Sequence, residues 1–184
     1  EVGRIEGNRL EGKQKTANRC RRRKSPRGCW QLSGASVLKG TNMSFLQQVV
    51  VARATLFAFA AMGVLWGAYA ALIPDTKAML GVGDAAFGSL ILATPIAATV
   101  TMLFAPLMAP KFGQQVLPIA CLALAAAFAV PGWLHVPIFF ALAMVFVGST
   151  NGFLDVTMNA RVTAIEADTG LHLMNINHAA YSFG

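Results

Sequence analysis

The sequence predicts an all-α fold, a polytopic bundle of transmembrane helices, on three observations. Of the 184 residues 55% are hydrophobic and 12% charged, with a mean hydropathy of +0.55, a composition rare among water-soluble domains. Uncharged apolar runs long enough to cross a hydrocarbon core of ~30 Å recur beyond residue 53. Short polar or Pro/Gly-containing breaks separate these runs, as they would separate successive crossings.

The formal charge of +7 is concentrated in the first 42 residues, which hold eleven Lys and Arg against three Glu, whereas residues 43–184 hold four against five. This leader, centred on RCRRRKSPRG, lacks apolar periodicity and buries too little to fold alone. It reads either as a polybasic arm for nucleic acid or anionic lipid or as sequence upstream of the true start. Met43 is the first methionine, and MSFLQQVVVARATLFAF suits the opening of an inner-membrane protein. Lys39 and Gly40 must be encoded AAR-GGN, a purine run resembling a ribosome-binding site shortly before the Met43 codon. Translation from Met43 is therefore expected, and nucleic-acid binding ranks last among the functions considered. The leader has no apolar region of the kind a secretory signal needs, so the first crossing itself is expected to act as the targeting signal.

The first crossing is expected over 54–74, 21 uncharged residues in which Gly63 and Gly67 form a small-xxx-small pair for close helix approach. Trp66 and Tyr69, one turn apart, suit interfacial anchoring or packing as well as the lining of a cavity. After the polar link 75–84 comes a second crossing over 85–110, uncharged and carrying Pro95, which frees a carbonyl and bends the helix. From Phe112 to Leu154 there are 43 residues without Asp, Glu, Lys or Arg, too many for one helix. The cluster PGWLHVP, residues 131–137, divides them into a third crossing over 115–130 and a fourth over 137–161. Trp133 marks that interface, and His135 beside it reads as a solvated loop histidine.

Alternating crossings put Arg53, Lys111 and Arg161 on one side and Lys77 on the other, so the positive-inside rule makes the first side, with the N-terminus, cytoplasmic. Gly170 is the expected stop of the fourth helix. A fifth crossing begins near residue 175 and breaks off at Gly184 without a tail, as expected of a fragment of a longer protein. Cys20, Cys29 and Cys121 show neither metal-ligand nor disulfide spacing, and no metal or cofactor is expected.

The fourth crossing carries the chemistry. At about 100° per residue, Met144, Gly148, Asn151, Asp155, Asn159, Val162 and Glu166 share a sector of roughly 80°, while Phe139, Phe140, Leu142, Val145, Phe146 and Phe153 fill the others. An acid in such a helix costs about 3 kcal/mol on insertion scales unless it faces a cavity or a partner, so the stripe is expected to face protein or water. Gly148 and Gly152 on it suit close packing.

Four crossings with short loops, a proline-bearing second helix and the phrase GSTNGFLDVTMNARVTAIEADTGLHLMNINHAAYSFG together resemble the N-terminal half of a major facilitator superfamily transporter. Within it, the chain is similar to the bacterial group related to sugar permeases of the fucose type and their uncharacterised inner-membrane relatives. Matching residues are Gly152, Asp155, Met158 and Asn159, then Glu166 and Gly170, then Leu173, Met174, His178, Ala179, Ser182 and Gly184. The resemblance covers Met43 to Gly184 and implies a partial fold of four complete helices plus the start of a fifth, with a C-terminal half elsewhere in the same protein. The superfamily's loop between helices two and three usually reads G-x-x-x-D-R-x-G-R-R. Here PLMAPKFGQQ keeps Lys111 and Gly113 but has Pro110 for the Asp and Gln114 and Gln115 for the basic pair, which preserves a tight turn and removes the usual charges.

Near hydrocarbon the ionised form of Asp155 is disfavoured, so its protonation can follow a proton gradient. It is the leading proton-coupling residue, or else a gate that accepts hydrogen bonds from a neighbouring helix. His178 could relay protons or cap the fifth helix. Asn151, about 6 Å from Asp155 along the helix, offers a donor and an acceptor to a hydroxyl-bearing solute. Asn159 is a further solute contact or an interhelical hydrogen bond. No H-E-x-x-H, G-x-S-x-G or phosphate loop occurs, which gives no foothold for an enzyme. The expected function is secondary transport of a small polar, sugar-like solute with protons, in the bacterial inner membrane. Efflux of apolar compounds on the same scaffold, with Trp66, Phe139 and Phe146 lining the path, and a non-transporting membrane role are the alternatives.

Mass spectrometry of the mature N-terminus in the native host tests the start site. Residue 43 should be the first detected, and a peptide spanning Arg27 to Thr41 would overturn it.

Overall fold

The computed structural model describes residues 44–184; the basic leader and Met43 lie outside the described residues. Helix α1 spans Phe45–Ala71 and starts at a capping box, in which the Ser44 hydroxyl accepts from the Gln47 N–H and the Gln47 side chain accepts from the Ser44 N–H. The helix thus begins well before the uncharged run, because Gln47, Gln48 and Arg53 are good helix formers that continue its register into the polar flank. Pro74 sits in the first turn of a short helix α2, Ile73–Leu80. Much of the expected polar link is therefore helical. It ends at Gly81, whose φ of 64° is the left-handed cap, and Lys77 closes the turn by pairing with Asp84.

The second crossing consists of two helices, α3 (Asp84–Ile91) and α4 (Ala93–Met108), divided at Leu92. Pro95 explains the position of the break. It has no N–H to give the carbonyl of Ile91, so the hydrogen-bond ladder stops there and restarts with the proline inside a first turn. A 3₁₀ segment, Ala109–Gln115, follows, and Gly113 within it adopts φ 55° and ψ −134°. Then come α5 (Val116–Ala129), a 3₁₀ turn over Pro131–Trp133, the 33-residue α6 (Pro137–Thr169) and α7 (Met174–Phe183). Gly170, with φ 72°, ends α6.

By length and composition three helical stretches can cross a membrane: Phe45–Ala71, Asp84–Trp133 and Pro137–Thr169. The second, at 50 residues, is two antiparallel stretches, as its packing register shows. Phe87 meets Phe140, the Thr94 backbone meets Gly148 and that of Ala98 meets Gly152, so α3 and α4 run parallel to α6. By contrast, Ala120 and Leu124 cluster with Leu154 and Met158, and Ala127 clusters with Phe140 and Met144, so α5 runs antiparallel to it. The chain reverses between them at Gly113. Helix α1 is also antiparallel to α6, with Phe59 in the cluster of Leu154 and Met158 and Tyr69 in that of Phe140 and Met144. Arg53, Lys111 and Arg161 consequently gather at one end of the bundle, and Lys77, Asp84 and Trp133 at the other.

Helix α6 is the hub. A Cβ on Gly148 or Gly152 would run into the backbone of Thr94 or Ala98, and one on Gly63 into the carbonyl of Tyr181. Two backbone contacts, α4 on α6 and α1 on α7, therefore depend on the missing side chain. Gly67 differs. It is exposed, and a methyl there would meet only the Gly184 carbonyl at an ordinary 3.5 Å. Phe139 and Phe146 are more than half exposed on the outer side of α6.

Replacing Gly148 by Val should force α4 and α6 apart and cost about 1–3 kcal/mol, whereas Gly67→Ala should stay within about 0.5 kcal/mol. Thermal unfolding of the two variants in detergent micelles measures both.

Candidate functional site

The polar stripe of α6 meets α1 first. The indole Nε1–H of Trp66 donates to Asn151 Oδ1 at 2.8 Å, tying the first and fourth crossings together midway along both. Trp66 also stands edge-on to Tyr69 and to Phe128 of α5, with centroids 6.0 and 5.2 Å apart. The Tyr69 hydroxyl is buried in this aromatic group with no hydrogen bond among the described residues. One amide and one phenol thus present hydrogen-bonding capacity on an otherwise apolar wall. Because Oδ1 of Asn151 is engaged by Trp66, its amide nitrogen is the part left for another partner.

One turn further on, Asp155 is half-buried. Its Oδ1 accepts from Asn159 Nδ2 at 3.1 Å, and the same nitrogen reaches the Asp155 carbonyl at 2.8 Å. Asn159 therefore folds back onto its own helix and makes no interhelical bond among the described residues, because the four-residue spacing sets its amide directly over the acid. Among the same residues Asp155 accepts no hydrogen bond from a neighbouring helix. The ionisable group within electrostatic reach of it is His178 of α7, whose ring stands edge-on to Phe59 of α1 at 5.1 Å between centroids. That ring makes no hydrogen bond among the described residues and does not cap α7; Ser182 Oγ donates to the backbone carbonyl of His178.

Glu166 caps α7 instead. Its Oε1 accepts from the backbone N–H groups of Leu173 and Met174 at 2.6 and 2.8 Å, a carboxylate at the positive end of a helix. No spacing rule points to this contact, because the turn at Gly170 that brings residues 166 and 173 together is a tertiary event. Two other buried groups also escape a sequence reading: Thr94 Oγ1 and Asn177 Oδ1 have no hydrogen bond among the described residues. Thr94 lies just past the Leu92 break, where a threonine loses the regular turn onto which Thr99, Thr150 and Thr157 fold their hydroxyls. Lys111 and Gly113 lie on the exposed turn between α4 and α5, and Cys121 is a free, half-buried thiol of α5 packed against the apolar core.

The chain is 29% identical over 131 residues to an uncharacterized MFS-type transporter of Yersinia pestis, a match that covers 71% of this chain and 34% of that protein. It spans about a third of the length of this curated relative. No family model matches the chain and no solved structure matches it.

Glu166→Ala should leave two N–H groups of α7 uncapped, lower stability by about 1.5–3 kcal/mol and open the link at residues 170–173 to protease. Glu166→Gln should lose less, and limited proteolysis with a thermal melt reads the difference.

Proposed function

We propose that the chain is the N-terminal portion of a secondary active transporter that moves a small, hydroxyl-bearing, sugar-like solute with protons across the bacterial inner membrane. The similarity to an MFS-type transporter supports the transporter class. The observation that carries the coupling is Asp155, a half-buried acid in an apolar helix whose hydrogen-bond donor comes from its own helix, with the open imidazole of His178 in reach. An acid held by a salt bridge would stay ionised. This one can change its charge as water reaches it from one side or the other.

Asn151 supplies the solute contact through its free amide nitrogen, with Trp66 holding the amide in place and Tyr69 offering a hydroxyl nearby. An aromatic ring under a sugar and an amide at its edge suit a polyol with one apolar face. Asn159 holds Asp155 in position and does not meet the solute. Arg53, Lys111 and Arg161 at one end of the bundle make that end, with the N-terminus, cytoplasmic. Lys77 at the opposite end is offset by Asp84, which sharpens the asymmetry. A C-terminal half closes the path from the other side. Efflux of apolar compounds fits less well, because Phe139 and Phe146 lie on the outer face of α6, away from Trp66.

In vesicles carrying the protein, Asp155→Asn should abolish proton-driven accumulation while solute exchange continues. Accumulation equal to that of the unchanged protein would remove Asp155 from the mechanism.

A further inference from the structure

A cavity of about 250 Å³ lies where α4, α5 and α6 meet near the turn at Gly113, lined by Thr101, Met108, Phe112, Ile119, Ala123 and Phe153 among others. On α6 its lining residues Ser149, Thr150 and Phe153 centre roughly 170° around the helix from Asn151 and Asp155. The cavity is therefore on the opposite face from the candidate transport site and does not depend on that assignment.

Its chemistry excludes a polar solute. The hydroxyls of Ser149 and Thr150 are turned back onto the carbonyls of Val145, Phe146 and Val147, so they offer the cavity little. Apart from Thr101, what remains is aliphatic and aromatic wall, which includes the edge-on pair Phe112 and Phe153, 5.9 Å between centroids. The rim residues Met108, Phe112 and Ile119 are 44%, 40% and 39% exposed, and Leu103, Phe104 and Leu122 continue the apolar surface around them. In a membrane-spanning bundle such a surface meets hydrocarbon. Next to Phe112 stands Lys111, exposed and without an ion pair among the described residues, followed by the exposed amides of Gln114 and Gln115. A slot of acyl-chain character that ends beside an unpaired cation and two amides, at the water boundary of the bilayer, has the polarity profile of one phospholipid.

We propose that this cavity seats an acyl chain of an anionic phospholipid whose phosphate is held by Lys111. The lysine supplies a point charge and needs no partner of fixed shape, so selection is for headgroup charge; the cavity adds affinity for the chain itself.

The test is native mass spectrometry of the full chain released from mixed micelles containing phosphatidylglycerol or phosphatidylcholine with the same acyl chains. The unchanged protein should retain phosphatidylglycerol about fivefold more than phosphatidylcholine. Lys111→Gln should bring the two to parity by lowering phosphatidylglycerol retention more than that of phosphatidylcholine, whose phosphate is offset by its own choline, and Ala123→Phe, which fills the cavity, should reduce both. Circular dichroism checks that helix content is preserved; should Ala123→Phe lose helix, Lys111→Gln alone decides. Equal retention of the two lipids by the unchanged protein, or a preference that survives Lys111→Gln, would overturn the proposal.

Discussion

The contact on which the rest of the bundle depends is the backbone approach of α4 to α6 at Gly148 and Gly152. These glycines let the carbonyls and α-carbons of Thr94 and Ala98 sit where side chains would otherwise stand. In lipid there is no hydrophobic drive to bring two apolar helices together, so dispersion across a close interface has to do it. With α4 fixed on that side, α6 presents Asn151 to α1 and Asp155 to the region of α7. The polar stripe faces inward because the small-residue stripe beside it has already chosen the partner.

A second close approach, Gly63 under Tyr181, holds α7 against α1, and Glu166 ties the start of α7 to the end of α6. Helices α1, α6 and α7 are thus joined by a tryptophan-to-amide bond, a helix cap and a backbone contact. The acid between them carries no such tie across helices. Asn151 and Glu166 are each engaged by an indole or backbone partner on another helix, whereas the hydrogen-bond donor given to Asp155 among the described residues is Asn159 of its own helix.

Much of this was legible in the sequence, for reasons that differ by element. The crossings were readable because the cost of burying charge in hydrocarbon writes itself into long uncharged runs, and Gly170 and the PGW turn were readable as local stops. The break at Leu92 was foreshadowed by Pro95, although the helix divides three residues before the proline, just after Ile91, whose carbonyl the proline leaves without a donor. The early start of α1 at Phe45 was not visible in hydropathy, since polar helix formers leave no apolar trace. Nor could spacing reveal that Asn159 turns back onto Asp155 or that Gly63 lies under the Tyr181 carbonyl, because each depends on which neighbour arrives. Glu166 and Asn177 belong to the same class: the cap that Glu166 makes and the burial that leaves Asn177 Oδ1 without a donor are set by the turn after α6.

The two sides of α6 differ in chemistry. One carries amides and an acid against other helices, and the other carries hydroxyls already satisfied by their own backbone beside an apolar recess. A perturbation on either side reaches the other through the helix backbone and through α5, whose Ala120 both lines the recess and packs with Phe59 and Leu154. Double substitutions drawn from the two sides that leave this residue in place should therefore couple weakly, so that lipid preference and solute handling can diverge within one scaffold.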